Sequence, residues 1–254
     1  MSISNYIVCS TQRSGSTMFC KALESLTKFG RPTEKLLFLE RSLDKLSGRD
    51  LELKKMDALS SIREAVSDVS STNGVFGIKI MASTARKLPV TLKVKDGLKY
   101  EDEYVKHIFW RRKDKVAQAV SHFYLRNSGA AHAYTEEDLD LIRKKRAELT
   151  VRPEDVEKEL RKIYLDEAFW KKYFILNRID PLVIFYEDFI DKKSNKIDKA
   201  VNYLGGDVHD EYMKNIKLDS RTKRISDEKS SQAVEIARKD MRGCYHNSFE
   251  QIFF

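Results

Sequence analysis

Four short runs of β-branched and aromatic residues, at 6–9, 75–81, 105–110 and 182–186, constrain this chain more than any other feature. Their brevity and composition predict buried strands rather than helices. Between them lie stretches of helical period at 17–26, 57–69, 113–126, 152–177 and 190–204. Pro153 suits a first helical turn, and Gly205-Gly206 suits a C-cap. Strands alternating with helices predict a parallel β-sheet flanked by helices, with ligands at the carboxyl ends of the strands. Three polar clusters fall at such ends: Gln12 to Thr17, Arg111-Arg112 and Glu187-Asp188.

The chain's 254 residues suit a single domain over 1–254, and its scarce Pro (4) and Gly (10) leave little for a linker. The polar stretch 207–239 is expected to hold a mobile loop or lid. No apolar run is long enough for a membrane span, and the amino terminus lacks a signal-peptide pattern. Cys9, Cys20 and Cys244 are too scattered for a disulfide framework or a metal site. Cys9 in a strand and Cys20 on an apolar helix face read as buried thiols, which fits a reducing, cytoplasmic location. The net charge of +8 suits an anionic partner but names none. Basic and acidic residues alternate at Glu157–Arg161 and Asp138–Lys145, as on solvated helix faces, and no nucleic-acid-binding motif is visible.

The segment 6–22 carries the chemistry: a strand, a Ser/Gly/Ser/Thr turn and a helix start. Unpaired amides and the dipole at a helix amino terminus suit a phosphate or sulfate. Gly15 permits close backbone approach, Ser14, Ser16 and Thr17 offer hydroxyls, and Arg13 offers a guanidinium fork. An ordinary turn with Ser/Thr caps is the competing reading. A nucleotide P-loop needs an earlier Gly and a Lys where Ser16 stands, so a Walker-type kinase is disfavoured. Glu187-Asp188 could still imitate a metal-holding acid. His107 in mid-strand reads as a core histidine, and Trp110, Trp170 and Phe123 read as core packing.

Cys9-Ser-Thr-Gln-Arg-Ser-Gly-Ser-Thr17 resembles the 5′-phosphosulfate loop of sulfotransferases, in particular the bacterial Stf0 family (trehalose 2-sulfotransferase-like). Gly30-Arg31-Pro32-Thr33-Glu34 is similar to its Gly-x-Pro-x-Glu segment, and 76–81 to its second-strand motif. The segment 111–121 resembles its 3′-phosphate segment, and Phe185-Tyr186-Glu187-Asp188 its final-strand Tyr-Glu. The resemblance implies a P-loop-NTPase-like sulfotransferase fold and a donor, 3′-phosphoadenosine 5′-phosphosulfate (PAPS). It implies a small hydroxylated acceptor, carbohydrate first, with no nucleic-acid partner; a homodimer is left open. Gln12, Arg13, Ser14, Gly15, Ser16 and Thr17 would hold the 5′ end, with Arg13 also catalytic. Arg112 and Ser121 would hold the 3′-phosphate, and Arg224 would close over the phosphates. Arg112 and Ser121 stand one residue further apart than in many sulfotransferases, so Lys113 and Gln118 stay open as substitutes. Glu34 would be the general base. A sulfuryl group carries less charge than a phosphoryl group, so no metal is expected. Arg31, where the family often has an acid, and Lys35-Leu36, where an aromatic pair is common, leave the acceptor open. A catalytically impaired nucleotide-binding protein of the same fold and a kinase with a divergent P-loop are the alternatives.

Overall fold

The computed structural model describes residues 3–34, 68–87, 99–100, 103–129, 135–191, 196–206 and 228–244. The chain divides into two compact units, residues 1–113 with 166–219, and residues 114–165 with 220–254.

The first unit is built on a four-stranded, all-parallel sheet. Its strands are β1 (Tyr6–Ser10), β2 (Gly77–Met81), β5 (Lys106–Arg111) and β6 (Leu182–Phe185), in the order β2-β1-β5-β6. A separate two-residue antiparallel pair, β3 (Lys99–Tyr100) and β4 (Glu103–Tyr104), completes the numbering. The sheet is covered on both faces, which explains why β1 and β2 are buried at every residue rather than alternating.

Side-chain parity sorts the sheet into two packed layers. Ile7, Cys9, Ile78, Ile80 and Phe109 face Trp170 and Phe174 of the long helix α5 (Pro153–Leu176). Tyr6, Val8, Ile108, Trp110 and Ile184 face Phe19, Cys20 and Leu23 of α1 (Ser16–Ser25), with Phe189, Ile197 and Val201. Burial raises both thiols in these layers, that of Cys20 to about 12. Gly77 is the close-approach point of the second layer. A Cβ there would stand 2.3 Å from the Tyr6 ring, whose hydroxyl donates to the Phe29 carbonyl at 2.7 Å.

The expected elements over described residues are present, with differences around the sheet. The run at 75–81 is ladder only from Gly77, because Phe76 instead bridges antiparallel to Ser70. The stretch 190–204 is two helices, α6 (Tyr186–Ile190) and α7 (Lys196–Leu204), since α6 starts directly at the end of β6. A short helix, α2 (Ala82–Lys87), follows β2 without a break. The Gly205-Gly206 cap forms as expected, with Gly205 at φ 88° and the Gly206 amide donating to the Val201 carbonyl at 2.9 Å.

The described elements of the second unit are helices. The unit includes α3 (Lys115–Ser128), α4 (Glu136–Ala147), the first half of α5, and α8 (Glu228–Cys244). Asp114 caps α3 by accepting from the Ala117 amide, and Thr135 and Asp138 form a capping box on α4. Ala119, Val120, Phe123, Tyr124, Val156, Leu160, Ile163 and Ala237 form its core. Within it His122 Nδ1 lies 2.6 Å from Glu159 Oε2, and burial lowers the imidazole pKa. Of the stretch read as a lid, 207–227 lies outside the described residues and 228–239 is helical. No helix among the described residues is long and apolar enough to cross a membrane.

Candidate functional site

The strand order creates the site. β1 is followed by α1 and is paired with β2, whereas β5 leads toward β6 on the other side. The chain therefore leaves the carboxyl ends of β1 and β5 in opposite directions, and such a switch point opens a crevice for ligands. The Gln12–Thr17 turn follows β1, and Arg112 follows β5.

The turn is held by its backbone. Trp170 Nε1 donates to the Ser10 carbonyl at 3.0 Å from one face of the sheet. Trp110 Nε1 donates to the Ser14 carbonyl at 2.9 Å from the other. Ser14 Oγ closes the turn by donating to the Thr11 carbonyl at 2.7 Å. Both indoles are fully buried, as core packing requires, but their N–H groups also fix the loop. Arg13 and Gly15 have left-handed backbones, at φ 59° and 84°. At Gly15 a Cβ would stand 2.4 Å from the Tyr186 ring, so conformation and space both demand glycine. Gly15 is the N-cap of α1, which has no side-chain cap and no acidic residue in its first turn. The amides and dipole at that end consequently favour an anion, and a 5′-phosphosulfate fits that donor set.

Adjacent residues of an extended strand point to opposite faces, and this separates the two arginines at the end of β5, Arg111 and Arg112. Arg111 lies between the rings of Phe109 and Phe185 and donates from its terminal nitrogen to Glu167 Oε2 at 2.7 Å. Arg112 lies on the opposite face, over the Tyr186 ring at 5.1 Å, with a terminal nitrogen donating to the Arg13 carbonyl at 3.3 Å. Gly15, Tyr186 and Arg112 thus stack in sequence. The Lys113 amide donates to Glu187 Oε2 at 2.8 Å, and Lys113 Nζ pairs with Asp188. Those two acids are engaged by lysine backbone and side chain.

Glu34 reaches the same crevice through a residue that the sequence reading did not single out. Lys79, in the middle of β2, shares the parity of Val8 and so faces α1. Its ammonium donates to Thr17 Oγ1 at 2.9 Å and pairs with Glu34 Oε1 at 2.7 Å. Lys79 is 4% exposed and Glu34 30%. Thr33 fixes the approach of Glu34 by bridging Ile78 and accepting from the Lys79 amide at 3.1 Å. A lone lysine in a buried apolar run was the available signal. Arg31 is exposed and turned toward the Asp68 carbonyl.

Within the first unit Lys79 joins Glu34 to Thr17, the last residue of the Gln12–Thr17 turn, and Arg112 meets the same turn at the Arg13 carbonyl. Ser121 lies on α3 in the second unit, and Arg224 lies outside the described residues. Among the described residues no three His, Cys, Asp or Glu side chains form a metal-holding group.

Solved structures similar to this chain include a mouse sulfotransferase, SULT7A1, complexed with PAP, at 18% identity and TM-score 0.44. That match covers 85% of this chain and 64% of the mouse chain, so this chain spans less than two thirds of the mouse protein's length. A sulfotransferase domain from the Synechococcus PCC 7002 olefin synthase matches at 12% identity and TM-score 0.42, covering 98% of each chain. A sulfotransferase from Alicyclobacillus acidocaldarius matches at 12% identity and TM-score 0.42, covering 99% of each. The sequence has no significant match among curated proteins. The family model described as Stf0 sulphotransferase matches residues 5–240, nearly the whole chain. Because that match covers far more than half of the chain, the chain belongs to the Stf0 sulphotransferase family.

Proposed function

We propose that this protein transfers a sulfuryl group from PAPS to a hydroxyl of a small acceptor, a carbohydrate first among the candidates. The observation that carries this reading is Lys79, whose single ammonium touches both Thr17 in the anion turn and Glu34. An acid and an anion-binding turn one ammonium apart are what an in-line transfer needs at its two ends.

The acceptor oxygen attacks sulfur as Glu34 takes its proton, and the bond from sulfur to the bridging oxygen of the 5′-phosphate breaks. The products are the sulfate ester, adenosine 3′,5′-bisphosphate (PAP) and a protonated Glu34 that releases its proton to solvent. Charge builds on the leaving phosphate, where Arg13, the α1 amides and the hydroxyls of Ser16 and Thr17 stabilise it. Gln12 and Ser14 shape the turn. Arg112 holds the 3′-phosphate from the first unit, and the resemblance assigns Ser121 and Arg224 to the same nucleotide.

Calorimetry with PAP and with ATP–Mg²⁺ tests the donor class. Binding of PAP alone is expected, and binding of ATP–Mg²⁺ alone would sink the reading. A labelled-sulfate transfer screen across disaccharides, lipopolysaccharide sugars and small alcohols then identifies the acceptor. Transfer to none of them, with PAP still bound, would favour the impaired nucleotide-binding protein.

A further inference from the structure

We propose that Lys79 is shared between Glu34 and the donor, so that donor binding draws the ammonium toward the 5′ anion and releases Glu34 to the acceptor. This rests on the sulfotransferase reading above and assigns that site a built-in order of events. Lys79 is the positioning residue; Glu34 remains the base.

The asymmetry of the pair carries the argument. Lys79 is 4% exposed, so its charge requires a protein or ligand partner wherever it points. Glu34 is 30% exposed, so water can solvate its carboxylate once the ammonium moves. Among the described residues the polar partners of Lys79 Nζ are Thr17 Oγ1 at 2.9 Å and Glu34 Oε1 at 2.7 Å. Thr17 lies in the first turn of α1, the end that favours an anion, so an anion bound there competes with Glu34 for a cation already within reach. The backbone at both ends of the pair is pinned. The Lys79 amide donates to the Thr33 carbonyl, and Val8 holds the register of Lys79 in the ladder. The exchange needs only rotation of the lysine stem, which has four flexible carbons and three donor protons.

This arrangement keeps the acid occupied until the donor arrives. A carboxylate tied to Lys79 is a poorly placed base for an acceptor hydroxyl. The same carboxylate, once freed, stands one ammonium away from the turn that would hold the donor.

The test is PAP affinity by calorimetry on the full chain, for wild type, E34Q, K79M, K79R and the E34Q/K79M double variant. E34Q removes the competitor and is expected to tighten PAP binding about threefold or more, the coupling expected for groups in direct contact. K79M is expected to weaken it about tenfold, as for a lost hydrogen bond to a charged group. In the K79M background E34Q is expected to change affinity by less than about twofold, because nothing is left to share. K79R keeps a cation, so the tightening by E34Q persists there and turnover recovers above that of K79M. Unchanged or weaker binding by E34Q alone overturns the proposal, and this arm needs no lysine variant to fold. Full tightening by E34Q in the K79M background also overturns it, since plain charge repulsion would then explain the gain. Wild type that binds ATP–Mg²⁺ and not PAP fails at the earlier step and removes the donor reading itself.

Discussion

At Gly15 two independent constraints fall on one residue: a φ of 84° and a Tyr186 ring that a Cβ would meet at 2.4 Å. Alanine at this position strains the backbone and displaces the ring on which Arg112 rests. We expect Gly15→Ala to lower stability by about 1–3 kcal/mol, the usual cost of a non-glycine residue held in the left-handed region. It should also weaken PAP binding, because the turn and Arg112 shift together. Urea unfolding and a PAP titration on the same preparation check both effects, and unchanged PAP affinity would separate Tyr186 and Arg112 from the turn. At this scale the sequence was readable where local backbone form is written in order along the chain, as in the Gly15 turn that leads into α1. It was not readable where contact depends on register. Lys79 looks like one residue of an apolar strand until the pairing with Val8 turns it toward α1 and Thr17.

Strand parity makes the β5 terminus a natural comparison of two arginines in sequence. Arg111 serves the sheet, since its partner Glu167 is 4% exposed and Phe109 and Phe185 flank the guanidinium. Arg111→Met is expected to cost about 3 kcal/mol, because Glu167 loses its guanidinium in a buried setting. PAP affinity should stay within about twofold of wild type among molecules that remain folded, as for sites without a shared partner. Arg112→Met is expected to do the reverse, with a small loss of stability and about tenfold weaker PAP binding. Equal effects of the two substitutions on PAP affinity would sink the parity assignment. Helices show the same limit of sequence reading at larger size. The capping box at Thr135 and Asp138 and the 3.2 Å Glu157–Arg161 contact are local, and local patterns are legible. Residues 228–239 read as polar loop because the apolar side of α8 is made of small residues, Ala233, Val234 and Ala237. Their burial comes from long-range packing with α3 residues such as Val120 and Tyr124, which no short window of sequence contains.

Both tryptophans of the chain, Trp110 and Trp170, lie in the sheet-containing unit, so their fluorescence follows the unfolding of that unit. The same unit contains an acid-sensitive group outside the proposed chemistry. His107 is 2% exposed in β5, with Tyr173 Oη 3.4 Å from its Nε2 and the Phe174 ring edge-on. Burial lowers its pKa from 6.5 to about 4, and a hydrogen bond to the Val105 backbone opposes this only in part. Above pH 6.5 the imidazole is neutral in both folded and unfolded chains, and its stabilising contribution is fully present. As pH falls below 6.5 the unfolded chain takes up a proton that the folded chain refuses, so stability declines until the folded histidine titrates near pH 4. A shift of that size corresponds to about 3 kcal/mol lost across the window. His107→Phe keeps an aromatic side chain beside Phe174 and removes the titration. Tryptophan-monitored urea midpoints at pH 7 and pH 4 should then fall less for the variant than for wild type, by about 3 kcal/mol of unfolding free energy. His122, whose pKa is also lowered, and the carboxylates are present in both proteins and cancel in the difference. Parallel pH curves for the two proteins would show that His107 takes up its proton over the same pH range in the folded and unfolded chains, and the burial argument for β5 would have to be abandoned.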